Sequence, residues 1–299
     1  MVPLLDHPFE RMVVLVPPSM RSAQQKFGNS GSRPEKSRAR ARLDAFKGWR
    51  SSMAMQSIEG QVVLVTGSAV RIGRAIAMHL AAAGASIAVH CHRSKEEAEQ
   101  TAAEIRENGV NAEVFCADLG KSYDREVLIQ QVVGEFGGLN HLVNSASLFA
   151  TASLEDITDE SLGEMMEVNA VAPIMLIRHA LPHLREVNGS VVNLIDVFGD
   201  RPWPNYAHYC ASKSALLSAT RSLAVELAPE IRVNAVGPGA ILFPEWADEQ
   251  DKSRVLSKVP QQRQGEPSEI AETVSFLIAG PQHITGQIIA VDGGYGLHS

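Results

Sequence analysis

The 299-residue sequence lacks the features that define several classes of protein. It contains no uninterrupted apolar stretch close to the roughly 20 residues that a membrane-spanning helix requires. Its three cysteines, Cys91, Cys116 and Cys210, form no C-x-x-C pair, and their odd number disfavours a disulfide framework. Because each cysteine lies in or beside an apolar run, we predict buried free thiols in a reducing, cytoplasmic compartment.

The sequence also has no excess of basic residues. Lysine and arginine number 27 against 34 aspartates and glutamates, which gives a formal net charge of −7. Nucleic acid is therefore not an expected partner, and a small-molecule anion would need cations supplied locally. The apolar content of 45% is ordinary for a globular protein and allows a sizeable core without disulfides or metals.

Residues 1–57 differ in composition from the rest of the chain. Segment 20–52 carries nine basic residues against two acids, is rich in serine and has no sustained periodicity. We therefore predict a disordered N-terminal extension over residues 1–57. The alternatives are a transit peptide and an upstream start codon, with Met53 or Met55 as the true beginning.

From residue 58 onward, short apolar runs alternate with longer helical patterns. The pattern predicts strands at 61–66, 85–90, 112–117, 139–144, 190–195, 231–236 and 287–291. It predicts helices at 72–83, 94–109, 122–136, 159–187, 209–228 and 267–279. The second helix opens with a capping box at Ser94 and Glu97, and the fourth is broken near Pro173. We therefore expect residues 58–299 to form a single doubly wound, Rossmann-type α/β domain with a seven-stranded parallel sheet.

The turn after the first strand has the pattern of a phosphate site. Gly67 permits a tight turn, Gly73 lets the next helix pack closely on the sheet, and the helix start offers free N–H groups to pyrophosphate. Arg71 stands where a third glycine is common, although the helix dipole disfavours a cation there. We predict that Arg71 contacts phosphate or an electron-rich substrate ring; a solvated arginine is the alternative.

The second predicted strand ends without an acidic residue. A site for NAD usually places aspartate or glutamate there to bind the ribose 2′-hydroxyl. Here Arg93, with Ser94 and His92, is suited to a 2′-phosphate, which favours NADPH over NADH. A metal at His90 and His92 is disfavoured because no acid or third ligand is close in sequence. Asp118 ends the third strand and either accepts from the adenine amino group or is a plain turn aspartate.

Several polar residues are predicted to meet at the carboxyl edge of the sheet. Tyr209 and Lys213, four residues apart, share one helix face, where the ammonium and a nicotinamide cation would lower the tyrosine pKa from about 10. Asp196 and Asn144 end predicted strands, and Asn169 lies in the helix between the fourth and fifth strands. Parallel-sheet enzymes place their chemistry at this edge, so the set predicts an active-site cleft.

Together these motifs resemble the short-chain dehydrogenase/reductase family over residues 58–299. The matching motifs are T-G-x₃-R-x-G at 66–73, Asn144-Ser-Ala146, Asn169, Tyr209-x₃-Lys213 and Pro238-Gly239. The resemblance implies that Tyr209 donates a proton, that Lys213 binds the nicotinamide ribose and lowers the tyrosine pKa, and that Asn169 holds a relay water. It implies cofactor contacts by Gly67, Arg71, Ile72, Gly73, His92, Arg93, Ser94, Asp118, Leu119, Asn144, Ala146, Ser147, Tyr209, Lys213, Pro238 and Gly239. It also suggests a homotetramer.

One position departs from the family pattern. A serine usually stands 13 residues before the tyrosine, and here that residue is Asp196. With Arg71, the 92–94 run and the Asn-x-Ala-Ser-x-Phe segment at 144–149, the sequence is similar to the pteridine reductase branch, which includes bacterial dihydromonapterin and dihydrofolate reductases. That resemblance implies that Ser147 and Arg71 contact pterin and cofactor phosphate. It also implies that Phe149 stacks on the pterin ring, opposite the nicotinamide.

We therefore expect an NADPH-dependent reductase of a dihydropterin, in which Asp196 and Tyr209 deliver the proton. The predicted substrate contacts are Arg71, Ser147, Phe149, Asp196 and Tyr209. The loop at 240–246 departs from the branch and leaves the pterin undefined. The alternatives are a generic NADP-dependent carbonyl reductase acting on a ketone or 3-oxoacyl thioester, and a non-catalytic NADP-sensing protein. Phe149 as a plain apolar cover and Asp196 as a strand-end cap are the structural alternatives.

Overall fold

The computed structural model describes residues 55–199, 201, 203–243 and 247–297. The disorder predicted for residues 1–57 falls almost entirely on residues outside this described part. Within it, no helix combines the length and the apolar character that crossing a membrane demands.

The alternating pattern produces seven parallel strands connected by helices. The apolar runs form strands that are covered by helices on both faces, as parallel sheets require. The strands are β1 (Val62–Val65), β2 (Ser86–Cys91), β3 (Ala112–Cys116), β4 (His141–Asn144), β5 (Ser190–Leu194), β6 (Arg232–Pro238) and β7 (Ile288–Val291). The α-helices are α1 (Arg71–Ala82), α2 (Lys95–Glu107), α3 (Ser122–Phe136), α4 (Asp159–Met166), α5 (Ala172–Glu186), α6 (Ala207–Glu226), α7 (Glu249–Leu256) and α8 (Pro267–Ala279). The predicted doubly wound α/β fold is confirmed.

The strand order determines where a ligand can bind. The order is β3-β2-β1-β4-β5-β6-β7, so the direction of winding reverses between β1 and β4. Apolar residues of α1, α2 and α8 cover one face of the sheet, and those of α3, α5 and α6 cover the other. In such sheets the crevice at the reversal, beyond the carboxyl ends of the strands, is the ligand site.

The predicted break near Pro173 is present as a π-helix between α4 and α5. This segment, Glu167–Val171, carries Asn169. Pro173 lies in the first turn of α5 and has no N–H to donate to the Asn169 carbonyl. The wider π turn accommodates this lost hydrogen bond, and such turns are frequent at functional sites.

Two local predictions were wrong, and one helix was not predicted. The capping box at Ser94 and Glu97 is not formed, because the Ser94 hydroxyl makes no capping hydrogen bond; Glu97 instead lies in the first turn, near the positive end of the helix dipole. Helix α7 was not predicted because it buries no residue and so has no apolar stripe; the Asp248 side chain caps its start. Cys116 is exposed rather than buried because it is the last residue of β3, an edge strand that is only partly covered.

Arg232 joins the sheet to α8 from a buried position at the start of β6. Its guanidinium donates to the carbonyl oxygens of Leu277 (2.8 Å) and Ile278 (2.9 Å), and to Gln282 Oε1 (3.0 Å). The two carbonyls belong to the last turn of α8, which has no partners for them within the helix. Burial lowers the pKa of Arg232, and the bonds to carbonyl oxygens satisfy its charge.

We predict that Arg232→Met lowers the free energy of unfolding by about 2–4 kcal/mol, because charge-assisted hydrogen bonds to buried carbonyls are lost. Urea denaturation at neutral pH measures the change. The matched control is Arg254→Met, which removes an exposed pair with Asp251 and should change stability by less than about 1 kcal/mol. Equal effects of the two substitutions would contradict the assignment.

Candidate active site

The loop between β1 and α1 is shaped by two close backbone contacts. Gly67 has a φ of +65°, and a Cβ there would lie 2.9 Å from the Ala146 backbone. A Cβ at Gly73 would overlap the Gly67 carbonyl group. Both positions therefore require glycine, and the loop lies at the switch point between β1 and β4, as a phosphate-binding turn should.

Arg71 begins α1 with a φ of +56°, in the left-handed region. A side chain in this conformation costs about 1 kcal/mol, which explains why glycine is common at the position. Its guanidinium donates to the Leu242 carbonyl at 3.4 Å, in the loop that follows β6. The side chain thus extends from the phosphate loop across the cleft, as a substrate or phosphate contact requires.

The residues after β2 and β3 form a cationic cluster. His92 Nε2 lies 3.8 Å and Lys121 Nζ 3.2 Å from the Asp118 carboxylate, and Arg93 is exposed beside them. Partial burial opposes ionisation of Asp118, but bonds from the Gly120 N–H and Lys121, with the charge of His92, lower its pKa overall. The bond to Gly120 is that of a turn aspartate. Lys121 was missed because no motif includes it.

The catalytic residues predicted at 196, 209 and 213 meet at the carboxyl ends of β5 and β6. The Tyr209 hydroxyl donates to Asp196 Oδ2 at 2.7 Å. Lys213 Nζ donates to the Leu194 carbonyl at 2.9 Å and lies 5.9 Å from the centre of the Tyr209 ring. Both α6 residues are buried, Tyr209 at 5% and Lys213 at 2% exposure, so their charges are poorly solvated.

The electrostatics of this group differ from the expectation that lysine lowers the tyrosine pKa. Burial first, and then the charge and hydrogen bond of Asp196, raise the pKa of Tyr209 well above 10. Burial lowers the pKa of Lys213 to about 8, and Asp196 opposes this. Of the two charges, Asp196 has the greater effect on the pKa of Tyr209, because its carboxylate touches the phenol, whereas the Lys213 ammonium is bonded to a backbone carbonyl.

Asn169 fixes the segment that follows β4. Its Oδ1 accepts from the Leu148 N–H at 2.7 Å and from Ser147 Oγ at 3.2 Å. Its Nδ2 donates to the Leu148 carbonyl at 2.9 Å and to Ser212 Oγ at 3.1 Å. The side chain is therefore occupied with protein groups, and it holds the segment that carries Ser147 and Phe149.

An aromatic wall, composed of Phe149, Trp203, Tyr206 and Tyr209, lies beside Asp196. Phe149 stacks on Tyr206 with ring centres 5.2 Å apart and meets Tyr209 edge-on at 4.9 Å. Trp203 and Tyr206 are also 5.2 Å apart. Phe149 is 45% exposed, so a large part of its ring is available to a ligand. Trp203 and Tyr206 were missed because they precede α6 in an irregular segment; their only signal is the spacing of three residues up to Tyr209.

The other predicted cofactor residues lie at the same edge of the sheet. Asn144 is buried; its Nδ2 donates to Asn193 Oδ1 at 2.8 Å, and its Oδ1 has no partner among the described residues. The Ala146 N–H donates to Thr66 Oγ1, and a Cβ at Gly239 would lie 2.6 Å from Asp292. Of the remaining members of the set, Ile72 lies in the first turn of α1, Leu119 follows β3 and Pro238 ends β6. No group of three or more potential metal ligands occurs in the described ranges.

We predict that Asp196→Asn lowers the pKa of Tyr209, because it removes the negative charge that opposes phenolate formation. The phenolate absorbance of the ligand-free protein, followed in an alkaline titration, measures the change. Tyr209→Phe identifies the contribution of this residue among the four tyrosines. Superimposable titrations of the Asp196→Asn variant and the unmodified protein would show that the carboxylate does not control Tyr209.

A second prediction concerns stability. A buried ammonium with a pKa of about 8 destabilises the fold, because an unfolded lysine holds its proton up to 10.5. Lys213→Met should therefore raise the free energy of unfolding at neutral pH by about 1–3 kcal/mol, although it removes a predicted catalytic group. The gain is complete below about pH 8 and disappears as the pH rises towards 10.5, where the unfolded lysine also deprotonates.

Urea denaturation at neutral and alkaline pH tests this, with Lys252→Met on the solvent-facing α7 as the control. A Lys213→Met variant that is less stable than the unmodified protein at neutral pH would show that the ammonium is well accommodated.

Comparisons with known proteins agree with this geometry. The chain matches the family model described as Enoyl-(Acyl carrier protein) reductase over residues 67–296. It is 36% identical over 236 residues to the 3-oxoacyl-[acyl-carrier-protein] reductase FabG of Staphylococcus aureus, which covers 77% of this chain and 96% of that protein.

Two similar solved structures are complexes with a nicotinamide dinucleotide. One is a short chain dehydrogenase from Burkholderia cenocepacia in complex with NADP, with a TM-score of 0.76, 33% identity and coverage of 80% of this chain and 99% of that chain. The other is a blue fluorescent protein from a metagenomic library in complex with NADPH, with a TM-score of 0.76, 32% identity and the same coverage of 80% and 99%. With the shared fold, the matched motifs and these relatives, the chain belongs to the short-chain dehydrogenase/reductase family.

Proposed function

We propose that the protein is an NADPH-dependent reductase that converts a dihydropterin to a tetrahydropterin, with dihydrofolate as a substrate of the same class. The observation that carries this proposal is the 2.7 Å hydrogen bond between the Tyr209 hydroxyl and the Asp196 carboxylate. A carboxyl group at this position is suited to protonating a ring nitrogen, whereas the serine that is usual in the family orients a carbonyl oxygen.

The described residues fit an NADPH cofactor. The loop at 66–73 allows a close approach of backbone to phosphate, since side chains at Gly67 and Gly73 would collide with neighbouring backbone. Arg93 and Lys121 provide cations for a 2′-phosphate, the His92 ring adds an N–H donor, and the Ser94 hydroxyl is not used to cap α2. The two structural relatives are complexes with NADP and NADPH. When bound, NADPH supplies the hydride.

The chain's own groups supply the proton and the binding surface. Tyr209 and Asp196 share a proton next to the predicted substrate position, so one proton can be passed to nitrogen as the C=N bond becomes CH–NH. Lys213 is placed to hold the nicotinamide ribose and to restore the proton from solvent, whereas Asn169 holds the segment that carries Ser147 and Phe149. Phe149, in the aromatic wall, presents an exposed ring to a flat heteroaromatic substrate.

Arg71 and Ser147 complete the proposed site. The Arg71 side chain spans from the phosphate loop to Leu242, which suits contact with both cofactor phosphate and substrate. Ser147 is held beside the cleft by Asn169. By analogy with the family we also propose a homotetramer.

A second candidate is the reduction of a 3-oxoacyl thioester or another ketone. The comparisons favour it over the pterin, because FabG of Staphylococcus aureus is 36% identical and the matched family model is described by an acyl-carrier-protein activity. In this reaction Tyr209 protonates the carbonyl oxygen, and Asp196 takes the place of the usual serine. The two candidates share the cofactor, Tyr209 and Lys213, and differ in what Asp196 contributes.

A substrate panel distinguishes the candidates. We predict NADPH oxidation with dihydrobiopterin, dihydromonapterin or dihydrofolate at a higher kcat/KM than with an acetoacetyl thioester, and slower oxidation of NADH than of NADPH. Asp196→Ser should lower the pterin kcat/KM by on the order of 100-fold, because it removes the carboxylate that shares a proton with Tyr209, and should spare or raise the thioester activity. Tyr209→Phe should lower both activities.

Turnover of the thioester alone would establish the second candidate. Tight NADPH binding with no turnover of either substrate class would instead support a non-catalytic NADP-binding protein.

A further inference from the structure

The His90 imidazole lies where three strand ends of the cofactor site meet. It is 2% exposed and is the fifth residue of the six in β2. Its Nδ1 accepts from the Gly67 N–H at 3.0 Å, and its Nε2 donates to the Ala117 carbonyl at 3.2 Å. One ring therefore connects the phosphate loop after β1, the strand β2 and the segment after β3.

The hydrogen bonds define a single tautomer. A backbone N–H can only donate, so Nδ1 must carry a lone pair and the proton must be on Nε2, where it faces a carbonyl oxygen. Burial lowers the pKa of His90 to about 4, so the ring is neutral at physiological pH. Both nitrogens are occupied, which also excludes the metal-ligand role considered for this residue.

The groups that His90 connects are the two halves of the proposed dinucleotide site. Gly67 lies in the turn that presents the start of α1 and Arg71 to pyrophosphate. Ala117 directly precedes Asp118, the predicted adenine contact. The main chain strengthens the link, because Ser68 N–H donates to the His90 carbonyl at 2.9 Å and the His90 N–H donates to Ser68 Oγ at 3.1 Å.

We infer that His90 is a positioning residue for NADPH: it holds the phosphate loop and the adenine-binding segment at the fixed separation that the dinucleotide spans. The inference rests on the cofactor part of the proposed function and is independent of the substrate. Loss of the imidazole leaves the half-buried Gly67 N–H without its acceptor, so the loop is no longer held in the binding conformation.

Two substitutions separate positioning from packing. His90→Phe keeps the ring volume and removes both hydrogen bonds. His90→Asn leaves a cavity, but its Oδ1 takes the place of Nδ1 and accepts from Gly67. We expect the NADPH dissociation constant to rise on the order of ten-fold or more in His90→Phe, and to rise by less in His90→Asn, which keeps the bond to Gly67 but loses the bond to Ala117. Thermal stability should follow the opposite order, because phenylalanine fills the site better.

The chain contains a matched control in His141, which is 7% exposed and also uses both ring nitrogens, towards Ser190 Oγ (2.9 Å) and Gln61 Oε1 (2.6 Å). It lies at the opposite, amino end of the sheet, at the start of β4. His141→Phe should lower stability without changing NADPH affinity.

Direct titration of each purified variant with NADPH, followed by cofactor fluorescence, provides the readout. The inference is overturned if His90→Phe binds NADPH within two-fold of the unmodified protein, or if His90→Asn binds no better than His90→Phe. An unmodified protein that fails to bind NADPH would overturn both this inference and the proposed cofactor. Binding without pterin turnover would affect only the proposed substrate.

Discussion

The Asp196 carboxylate places a negative charge in a cleft that also buries the phenol of Tyr209 and the ammonium of Lys213. Burial disfavours the charged form of both groups. It raises the pKa of Tyr209, which favours the neutral phenol, and lowers the pKa of Lys213, which favours the neutral amine. The charge of Asp196 raises the pKa of Tyr209 further and opposes the lowering of the pKa of Lys213. The site at rest therefore contains a phenol that keeps its proton and an ammonium bonded to a backbone carbonyl. A phenol with a raised pKa is a weak proton donor, so donation from Tyr209 requires a bound ligand that accepts the proton strongly or lowers this pKa.

The elements of the fold were predictable because their signals are local. Residues close in sequence are enough to recognise the apolar runs of strand length, the glycine after β1 and the spacing of Tyr209 and Lys213. The features that were predicted wrongly, or not predicted, depend on contacts between distant residues or on solvent exposure. Ser94 has the sequence of a helix cap without its hydrogen bond, and Cys116 lies in an apolar run that happens to be at the sheet edge. The partners of His90 are 23 and 27 residues away, so no motif includes them.

In the candidate site, too, local sequence signals were sufficient for some features and distant contacts determine the others. Its members could be named from motifs, since the carboxyl ends of parallel strands necessarily meet. The electrostatic relation between them could not, because the raised pKa of Tyr209 results from its burial first and then from contact with the Asp196 carboxylate, and both depend on the folded structure. The aromatic wall likewise depends on the folding of an irregular segment against Phe149. The relatives favour a carbonyl oxygen as the proton acceptor, whereas the proposal of a ring nitrogen rests on Asp196 and this wall.

The conformation of Arg71 has a consequence for selective inhibition. A left-handed backbone at the start of α1 is easily adopted by glycine, and arginine adopts it against its intrinsic preference. The guanidinium extends over the cleft towards Leu242, whereas a family member with glycine at this position presents no charge there. An anionic or electron-rich inhibitor that reaches this guanidinium would therefore distinguish this protein from relatives with the same fold and the same cofactor.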